Sequence, residues 1–345
     1  MSEKKKTGFF QKTKNMTDTN LLLAITMIVF FAMYIGAMIF EGKGFLKAQT
    51  FLNMLNANAA LIIASCGMSI VMITGSIDIS VGGVAALVSM CCAVYLDYHG
   101  GNVVTAIFIS LGIGLLFGLV QGYLVAYLDI QPFIVSLAGM FFARGMTTIV
   151  NTEPFNVQNE AFVKLKETRV IVPGLGSVNK LGKYVNAYVE IGVVVALILV
   201  IVLFCMLRWT KSGRNFYAVG GNQQSALMLG INVKKTKFMA PLLCSLLAGI
   251  GGFVYFMHVG SGSASHATGM EMNAIASSII GGTMLTGGVG NIIGTLFGVL
   301  SLSTIQNIVS SAGLDQAWWT GITIAAMLCL FLVIQSVVMA RKKKA

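Results

Sequence analysis

The chain has 345 residues, of which 56% are hydrophobic and only 10% charged, which excludes an ordinary soluble domain, where about 25% of residues are charged. Its net charge of +11 is concentrated in the tails and in one polar insert, which argues against a nucleic-acid-binding protein and points to a lipid bilayer as the surroundings. The six cysteines all lie in apolar runs without a C-x-x-C pattern, which is typical of small buried side chains rather than of a metal site.

Apolar runs of about 20 residues recur from Leu21 to Ala340, and each is long enough to cross a bilayer as a helix. They are too long and too little alternating for barrel strands. We therefore predict an all-α polytopic membrane protein with one transmembrane domain over 21–340. The first run follows a basic tail, as a signal peptide would, but it is too long for one. Ten spans are predicted, at 21–40, 53–74, 80–97, 103–128, 132–150, 186–207, 238–258, 271–286, 289–311 and 317–340.

The positions of the cations predict the orientation of these ten spans. An even number of spans places both termini on one side, and both tails, 1–20 and 341–345, are basic. The insert 208–237 falls on the same side and carries six cations and no acid. Because cytoplasmic loops are enriched in Lys and Arg, all three segments are predicted to be cytoplasmic. The 151–185 connection is then extracytoplasmic.

Two predicted helices carry glycines at every fourth position, a spacing that lets helix backbones approach closely. We expect both sets to serve helix packing. Two further segments, GSIDISVGG (75–83) and GGTMLTGGVG (281–290), resemble each other weakly and suggest an internal duplication. The packing glycines of the two predicted helices are Gly114, Gly118 and Gly122 in the first, and Gly290, Gly294 and Gly298 in the second.

The insert itself contains a short predicted helix. Asn222 is a good N-cap and Gly230 a good residue to end a helix, with about two turns between them. A helix this short is marginal alone in water, and it carries the apolar residues Ala226, Leu227 and Leu229. Two interpretations remain open: the helix rests on its own membrane domain, or it is presented to a cytosolic partner.

Four stretches of the chain resemble the permease subunits of bacterial ATP-binding-cassette importers for sugars, of the ribose and galactose type. Smaller details, among them LAGMFFARG, GGVGNIIGTLFGV and the pair Trp318–Trp319, are most similar to the galactofuranose branch. The four stretches follow in order along nearly the whole chain. They are ITGSIDISVGG (73–83), QPFIVSLAGMFFARG (131–145), GRNFYAVGGNQQSALMLGI (213–231) and MEMNAIASSIIGGTMLTGGVGNIIGTLFG (270–298).

This resemblance implies that 213–231 is the region that couples the permease to a separate ATPase subunit, which binds the ATP and Mg. It further implies a second permease, identical or a sister chain, and an extracytoplasmic sugar-binding protein. Consistent with a separate ATPase, the chain has no G-x-x-x-x-G-K-[ST] phosphate loop, and no cofactor of its own is expected. The expected coupling residues are Gly220, Gly221, Asn222, Ala226, Leu227 and Gly230.

A path for a sugar needs neutral polar side chains, and the apolar runs contain several. Each of them has a structural alternative, since a polar side chain can equally bond across a helix interface, and Trp318 can equally belong to an interfacial aromatic belt. The candidates for the path are Asn53, Asn56, Asn58, Asp78, Gln121, Arg144, Asn273, Gln306 and Trp318.

Two other classes of protein fit the same composition. A secondary transporter or channel driven by an ion gradient would use ionisable groups within the membrane, for which Asp78, Arg144, Glu190 and Glu271 are available. A membrane scaffold without transport activity needs none of them. Only the importer permease requires an ATPase subunit.

Overall fold

The computed structural model describes residues 18–41, 45, 47–178, 184–314 and 316–344. Most of the predicted tail 1–20 and residues 179–183 of the predicted outer loop lie outside the described residues. The helices are α1 Asp18–Glu41, α2 Ala48–Ile73, α3 Val81–Asp97, α4 Val103–Ala126, α5 Pro132–Val150, α6 Glu160–Glu167, α7 Ile191–Trp209, α8 Lys211–Gly221, α9 Gln223–Met228, α10 Val233–Val259, α11 Met270–Ile280, α12 Ile292–Ser311 and α13 Ala317–Lys344.

Four short strands accompany the helices, namely β1 Phe155–Asn156, β2 Arg169–Val178, β3 Tyr184–Glu190 and β4 Ser261–Gly262. β1 pairs antiparallel with β4, and β2 with β3. The strands lie in connections between long helices, and among the described residues they form only these two-stranded pairs. The predicted all-α membrane fold is confirmed, with small β elements at one end.

Among the described residues, eight helices are long and apolar enough to cross a membrane, and eight of the ten predicted spans correspond to them. The predicted span 80–97 agrees with α3 to within one residue, and its 17 residues are at the lower end of the usual length of a span. The predicted span 271–286 is wrong in length, because α11 has 11 residues, which is about 16 Å of helix and too short for a hydrocarbon core of about 30 Å. α11 ends at Ile280 instead of 286 because Gly282 has φ +88°, a left-handed conformation that breaks the helix.

Contacts between the connections define two ends of the bundle. At one end, β1 pairs with β4 and Asp97 Oδ1 accepts a hydrogen bond from Gln158 N, so we call it the strand end. At the other, Lys237 forms an ion pair with Asp129 at 3.8 Å. We call this the basic end, because it carries the 208–237 insert. The connections 74–80 and 281–291 lie there too, since Gly220 of the insert packs on Ile73 O and Gly288 N donates to the same carbonyl.

Both ends of the described chain lie near the basic end. Thr26 in α1 donates to Ile280 O, and Gln335 in α13 donates to Ile279 O. The predicted C-terminal tail 341–345 continues α13 as far as Lys344. That the two tails share the cytoplasmic side stays a prediction.

α2 and α10 form the centre of the bundle, and α10 packs closely against α4 through glycine. A Cβ atom added at Gly118 would lie 2.8 Å from the Cα atom of Leu242, and one at Gly114 would lie 2.7 Å from Ser245 O. Gly122 meets Phe238 O in the same way. The three glycines therefore line the contact between α4 and α10, where only a backbone fits.

The second set of glycines lies between α11 and α12. Gly298 packs on Ser277 O, and Gly294 packs on Gly281 O. Gly290, predicted to belong to the same helix, lies before α12, which begins at Ile292 after the N-cap Asn291. Its neighbour is the side chain of Ile73, so it packs a connection rather than a helix crossing.

The glycine contact predicts a clear difference between two substitutions on α4. Gly118→Leu places a side chain against the backbone of α10, and overpacking a tight interior costs about 1–3 kcal/mol. Gly112→Leu is the matched control, since nothing lies within 4 Å of its Cβ position. We expect a lower melting temperature in detergent for the first variant only. Equal stability of the two variants would contradict the packing described here.

Candidate functional site

A cavity of about 280 Å³ lies between α2, α10, α11 and the connection that precedes α11. Its polar lining comes from amide, hydroxyl and phenol groups, and no charged side chain lines it in the described part of the chain. Such a lining suits an uncharged ligand that forms several hydrogen bonds. The polar residues are Asn58, Tyr255, Ser265, Thr268 and Asn273.

The central helix α2 presents Asn58 to the cavity. The side-chain nitrogen donates to Met54 O at 2.8 Å and to Ser303 Oγ at 2.9 Å, which fixes the orientation of the amide. Both bonds use the nitrogen, so the carbonyl oxygen is the atom that remains for a ligand. Asn273 faces the same cavity from the first turns of α11 and is partly buried.

Residues 263–269, which we call the wall segment, close one side of the cavity through Ser265, Ala267 and Thr268. The segment is irregular, and Ala267 has φ +51°, a left-handed conformation that is uncommon for a residue other than glycine. Thr268 Oγ1 donates to Ser265 O, which tightens the turn. The cavity is therefore bounded by rigid helices and by one strained connection.

Arg144 holds the wall segment from its other side, and His266 within the segment contacts α3. The Arg144 guanidinium donates to His266 O at 2.5 Å and to Ala267 O at 2.9 Å. His266 Nδ1 lies 3.1 Å from Ser89 Oγ of α3. Burial, and to a smaller degree the Arg144 cation, lowers the pKa of His266, so the ring is neutral at neutral pH.

A second candidate site lies at the basic end, where α9 is capped at both ends as predicted. Asn222 Oδ1 accepts a hydrogen bond from Ser225 N at 2.8 Å. At the other end Ile231 N donates to Ala226 O, Gly230 N donates to Leu227 O, and Gly230 has φ +77°. This pair of bonds is the Schellman motif, which satisfies the last carbonyl groups of a helix.

The side chains of α9 divide into one anchor and an exposed apolar group. Ala226 is only 2% exposed, so its side chain packs against this chain and anchors α9. Leu227, Met228 and Leu229 are 65%, 89% and 78% exposed. We call these three residues the exposed triplet. Three consecutive large apolar side chains in water are typical of an interaction surface.

α8 joins α9 to the bundle. At these contacts the backbone of α8 touches the backbones of its neighbours almost directly, with little side chain between them. A Cβ atom on Gly220 would overlap Ile73 O, the last carbonyl of α2. A Cβ atom on Gly287 would lie 2.7 Å from Gly220 O and 2.9 Å from Gly75 Cα. Tyr217 also donates to Gly290 O at 2.9 Å. The two glycine-bearing segments noted in the sequence thus meet α8 together.

Comparison with known proteins places the chain among transport proteins. Residues 50–332 match the family described as the branched-chain amino acid transport system permease component. The chain belongs to this permease family. It is a transport subunit rather than an enzyme. No solved structure matches the permease significantly.

Several curated relatives span nearly the whole permease. The inner membrane ABC transporter permease protein YjfF of Escherichia coli is 35% identical over 93% of both chains. The fructose import permease protein FruG of Bifidobacterium longum is 34% identical over 82% of this chain and 81% of its own. The ribose import permease protein RbsC of Escherichia coli is 30% identical over 89% of this chain and 90% of its own.

Only two of the predicted path residues, Asn58 and Asn273, line the cavity of the permease. Asn56 is buried and its Oδ1 accepts a bond from Glu190 N, which joins α2 to the start of α7. Gln121 is buried and donates to Ser80 Oγ, whose hydroxyl in turn bonds to Asp78 Oδ1. These three residues hold elements together and do not line the cavity.

The remaining predicted residues lie elsewhere. Asn53 is exposed and accepts a bond from Gln49. Gln306 is partly buried on α12. Trp318 is 57% exposed at the start of α13 and packs on Trp319 with ring centroids 4.7 Å apart. Arg144 acts on the wall segment and does not line the cavity itself.

Sequence reasoning missed Tyr255, Ser265 and Thr268. The last two lie in a connection, outside the apolar runs in which polar residues stand out. The signal that could have revealed them is the composition of 260–269, GSGSASHATG, which is rich in small hydroxyl residues between two spans.

Two asparagines of the path prediction, Asn273 and Asn56, are expected to differ in chemical accessibility. Asn273→Cys should react with a water-soluble thiol reagent, because the side chain faces the cavity. Asn56→Cys is the control on α2, and its buried position should slow the reaction at least about tenfold. Labelling is quantified by mass spectrometry of the modified peptide. Equal rates at both positions would contradict the assigned cavity.

Proposed function

We propose that the permease is the membrane-spanning subunit of an importer that carries a monosaccharide across the bacterial inner membrane. The observation that carries the proposal is the cavity, whose amide and hydroxyl groups suit the hydroxyl groups of a sugar and whose lining has no charged side chain in the described residues to bind an ionised amino acid. Relatives support it, since FruG and RbsC are named for fructose and ribose.

Galactofuranose is the sugar to test first. The stretches LAGMFFARG and GGVGNIIGTLFGV and the pair Trp318–Trp319 are similar to the galactofuranose branch. The test reconstitutes the permease with its ATPase and binding protein and measures uptake of labelled galactofuranose against fructose, ribose and xylose. Uptake of a branched-chain amino acid in preference to every sugar would overturn the proposal.

The basic end of the bundle is assigned to the cytoplasm in this proposal. Lys and Arg cluster in cytoplasmic loops, and the 208–237 insert carries six cations. The strand end then faces the outside, where a binding protein delivers the sugar to the connections that carry β1–β4. The cavity lies beside β4, on the side from which the sugar would arrive.

The exposed triplet of α9 is the proposed docking surface for the ATPase, which supplies the sites for ATP and Mg. An apolar helix face buried in a groove of a partner is a common mode of recognition. The resemblance to sugar importers implies that the complete complex contains two permeases, each presenting one such helix. The second permease is an identical or a sister chain.

Contacts within the chain support a mechanical route from α9 to the cavity. α9 follows α8 after the single residue Asn222, and Gly220 of α8 rests directly on Ile73, the last residue of α2. α2 carries Asn58 into the cavity about four turns away. Tyr217 of α8 holds Gly290, which leads into α12, the close partner of α11. A displacement of α8 would therefore reach two of the helices around the cavity.

Leu227→Asp tests the docking surface. A charge buried in the dock without a partner should abolish both ATP hydrolysis stimulated by sugar and uptake, at least about a hundredfold. Ser225→Asp is the matched control, because it adds the same charge to the first turn of the same helix, where an acid is favourable. Both activities are measured in the reconstituted complex. Wild-type stimulation in Leu227→Asp would remove α9 from the interface.

Gly230→Val tests the cap through the backbone alone. Nothing lies within 4 Å of a Cβ atom at Gly230, so only its left-handed conformation opposes a side chain. A β-branched residue adopts that conformation poorly, whereas Asn tolerates it. We expect Gly230→Val to lower stimulated hydrolysis about tenfold or more, and Gly230→Asn to retain most of it. Similar losses in both variants would show that the cap is not what matters.

A further inference from the structure

The turns of the wall segment satisfy only part of their own backbone. His266 N donates to Ser263 O, Thr268 Oγ1 to Ser265 O and Met270 N to Ala267 O. Among the described contacts, the carbonyls of Ala264 and His266 have no such partner in the segment or in α11. Groups of this kind inside a membrane protein must be satisfied by other parts of the protein. The left-handed conformation of Ala267 adds strain that surrounding contacts must offset.

Arg144 donates to the carbonyls of Ala264 and His266 from a different helix, and adds a second donor to Ala267 O. Its guanidinium reaches Ala264 O at 3.5 Å, His266 O at 2.5 Å and Ala267 O at 2.9 Å. The first two contacts use Nη1 and the third uses Nη2, so the planar fork of one arginine spans consecutive turns of the segment. A lysine, with one compact ammonium group, cannot reproduce this geometry.

Arg144 is not held in place by an acid. Glu271 is the acid whose charge acts on the guanidinium, but the two groups do not form an ion pair within 4 Å among the described contacts. Glu271 Oε2 is buried and accepts no hydrogen bond in the described structure. The arginine thus bonds to the wall segment in preference to a buried carboxylate nearby.

We propose that Arg144 is a positioning residue of the passage, which sets the shape of the cavity by holding the wall segment from behind. The cavity-facing side chains of Ser265, Ala267 and Thr268 belong to the same turns whose carbonyls Arg144 binds. Arg144 itself does not line the cavity. The inference rests on the proposed function, in which this cavity lies on the path of the sugar.

A purely structural role for Arg144 makes a different prediction. Arginine that only stabilises the fold would affect yield and melting temperature, and uptake would fall in step with them. A positioning residue would change the mobility of the wall segment in protein that is still folded. The mobility can be read from the reactivity of a cysteine at Thr268, which lines the cavity.

The experiment uses the assembled complex with Thr268→Cys, combined with Arg144→Gln or Arg144→Lys. A water-soluble thiol reagent labels the protein, and mass spectrometry of the 268 peptide separates this site from the six native cysteines. Loss of several charge-assisted bonds should raise the labelling rate about tenfold in Arg144→Gln, with a smaller rise in Arg144→Lys. Uptake should fall more than ATP hydrolysis does.

Thr148→Val is the matched control on α5. Its hydroxyl donates only to Arg144 O within the same helix, one turn away, so it should change neither labelling nor uptake. Unchanged labelling at 268 in Arg144→Gln would overturn the inference. If Arg144→Gln does not fold, Arg144→Lys decides, and native labelling and uptake in that variant would overturn it as well.

Failure of the proposed function has a different signature. A cysteine at 268 that stays inert in every nucleotide state, with Arg144 intact, would show that the cavity is closed to water and lies off the path. A reactive cysteine whose rate ignores Arg144 would leave the path standing and reject only the positioning role.

Discussion

Every backbone amide and carbonyl inside a bilayer must find its partner within the protein, and this constraint explains most of the polar residues in the bundle. Three connections interrupt the helices close to the core, at 74–80, 260–269 and 281–291. Each has a dedicated donor or acceptor: Asp78 for Ser80 N, Arg144 for the wall segment, and Ile73 O for Gly288 N. The irregular connections are possible because these partners exist.

The same constraint accounts for the limited value of a polar side chain as evidence for a transport path. Asn56 and Gln121 stand out in apolar runs, yet each is buried and bonds to a neighbouring element. Asn58 differs because it lines the cavity, where its two bonds leave the carbonyl oxygen for a ligand. Sequence alone shows that a buried amide needs a partner, but not whether that partner is the protein or a solute.

Much of the fold followed from composition and periodicity. Apolar length predicted eight of the helices, and local chemistry predicted the caps of α9 at Asn222 and Gly230. The wrong length of the predicted span 271–286 has a plain cause: a hydropathy average does not show at which residue a helix ends. Gly281 and Gly282 are compatible with a membrane core by hydropathy, but the left-handed φ of Gly282 ends α11. Only three-dimensional packing brings α11 and the wall segment beside α2.

The exposed triplet also bears on how the complex assembles and how the ratio of permease to ATPase is maintained. In the proposed complex the ATPase covers Leu227, Met228 and Leu229, whereas a permease without its ATPase leaves them in water. Proteases and chaperones of the cytosol recognise short exposed apolar segments, because folded proteins normally hide them. An unassembled permease would therefore be recognised and degraded. The ratio of permease to ATPase would then be set by degradation after synthesis rather than by the rates of synthesis.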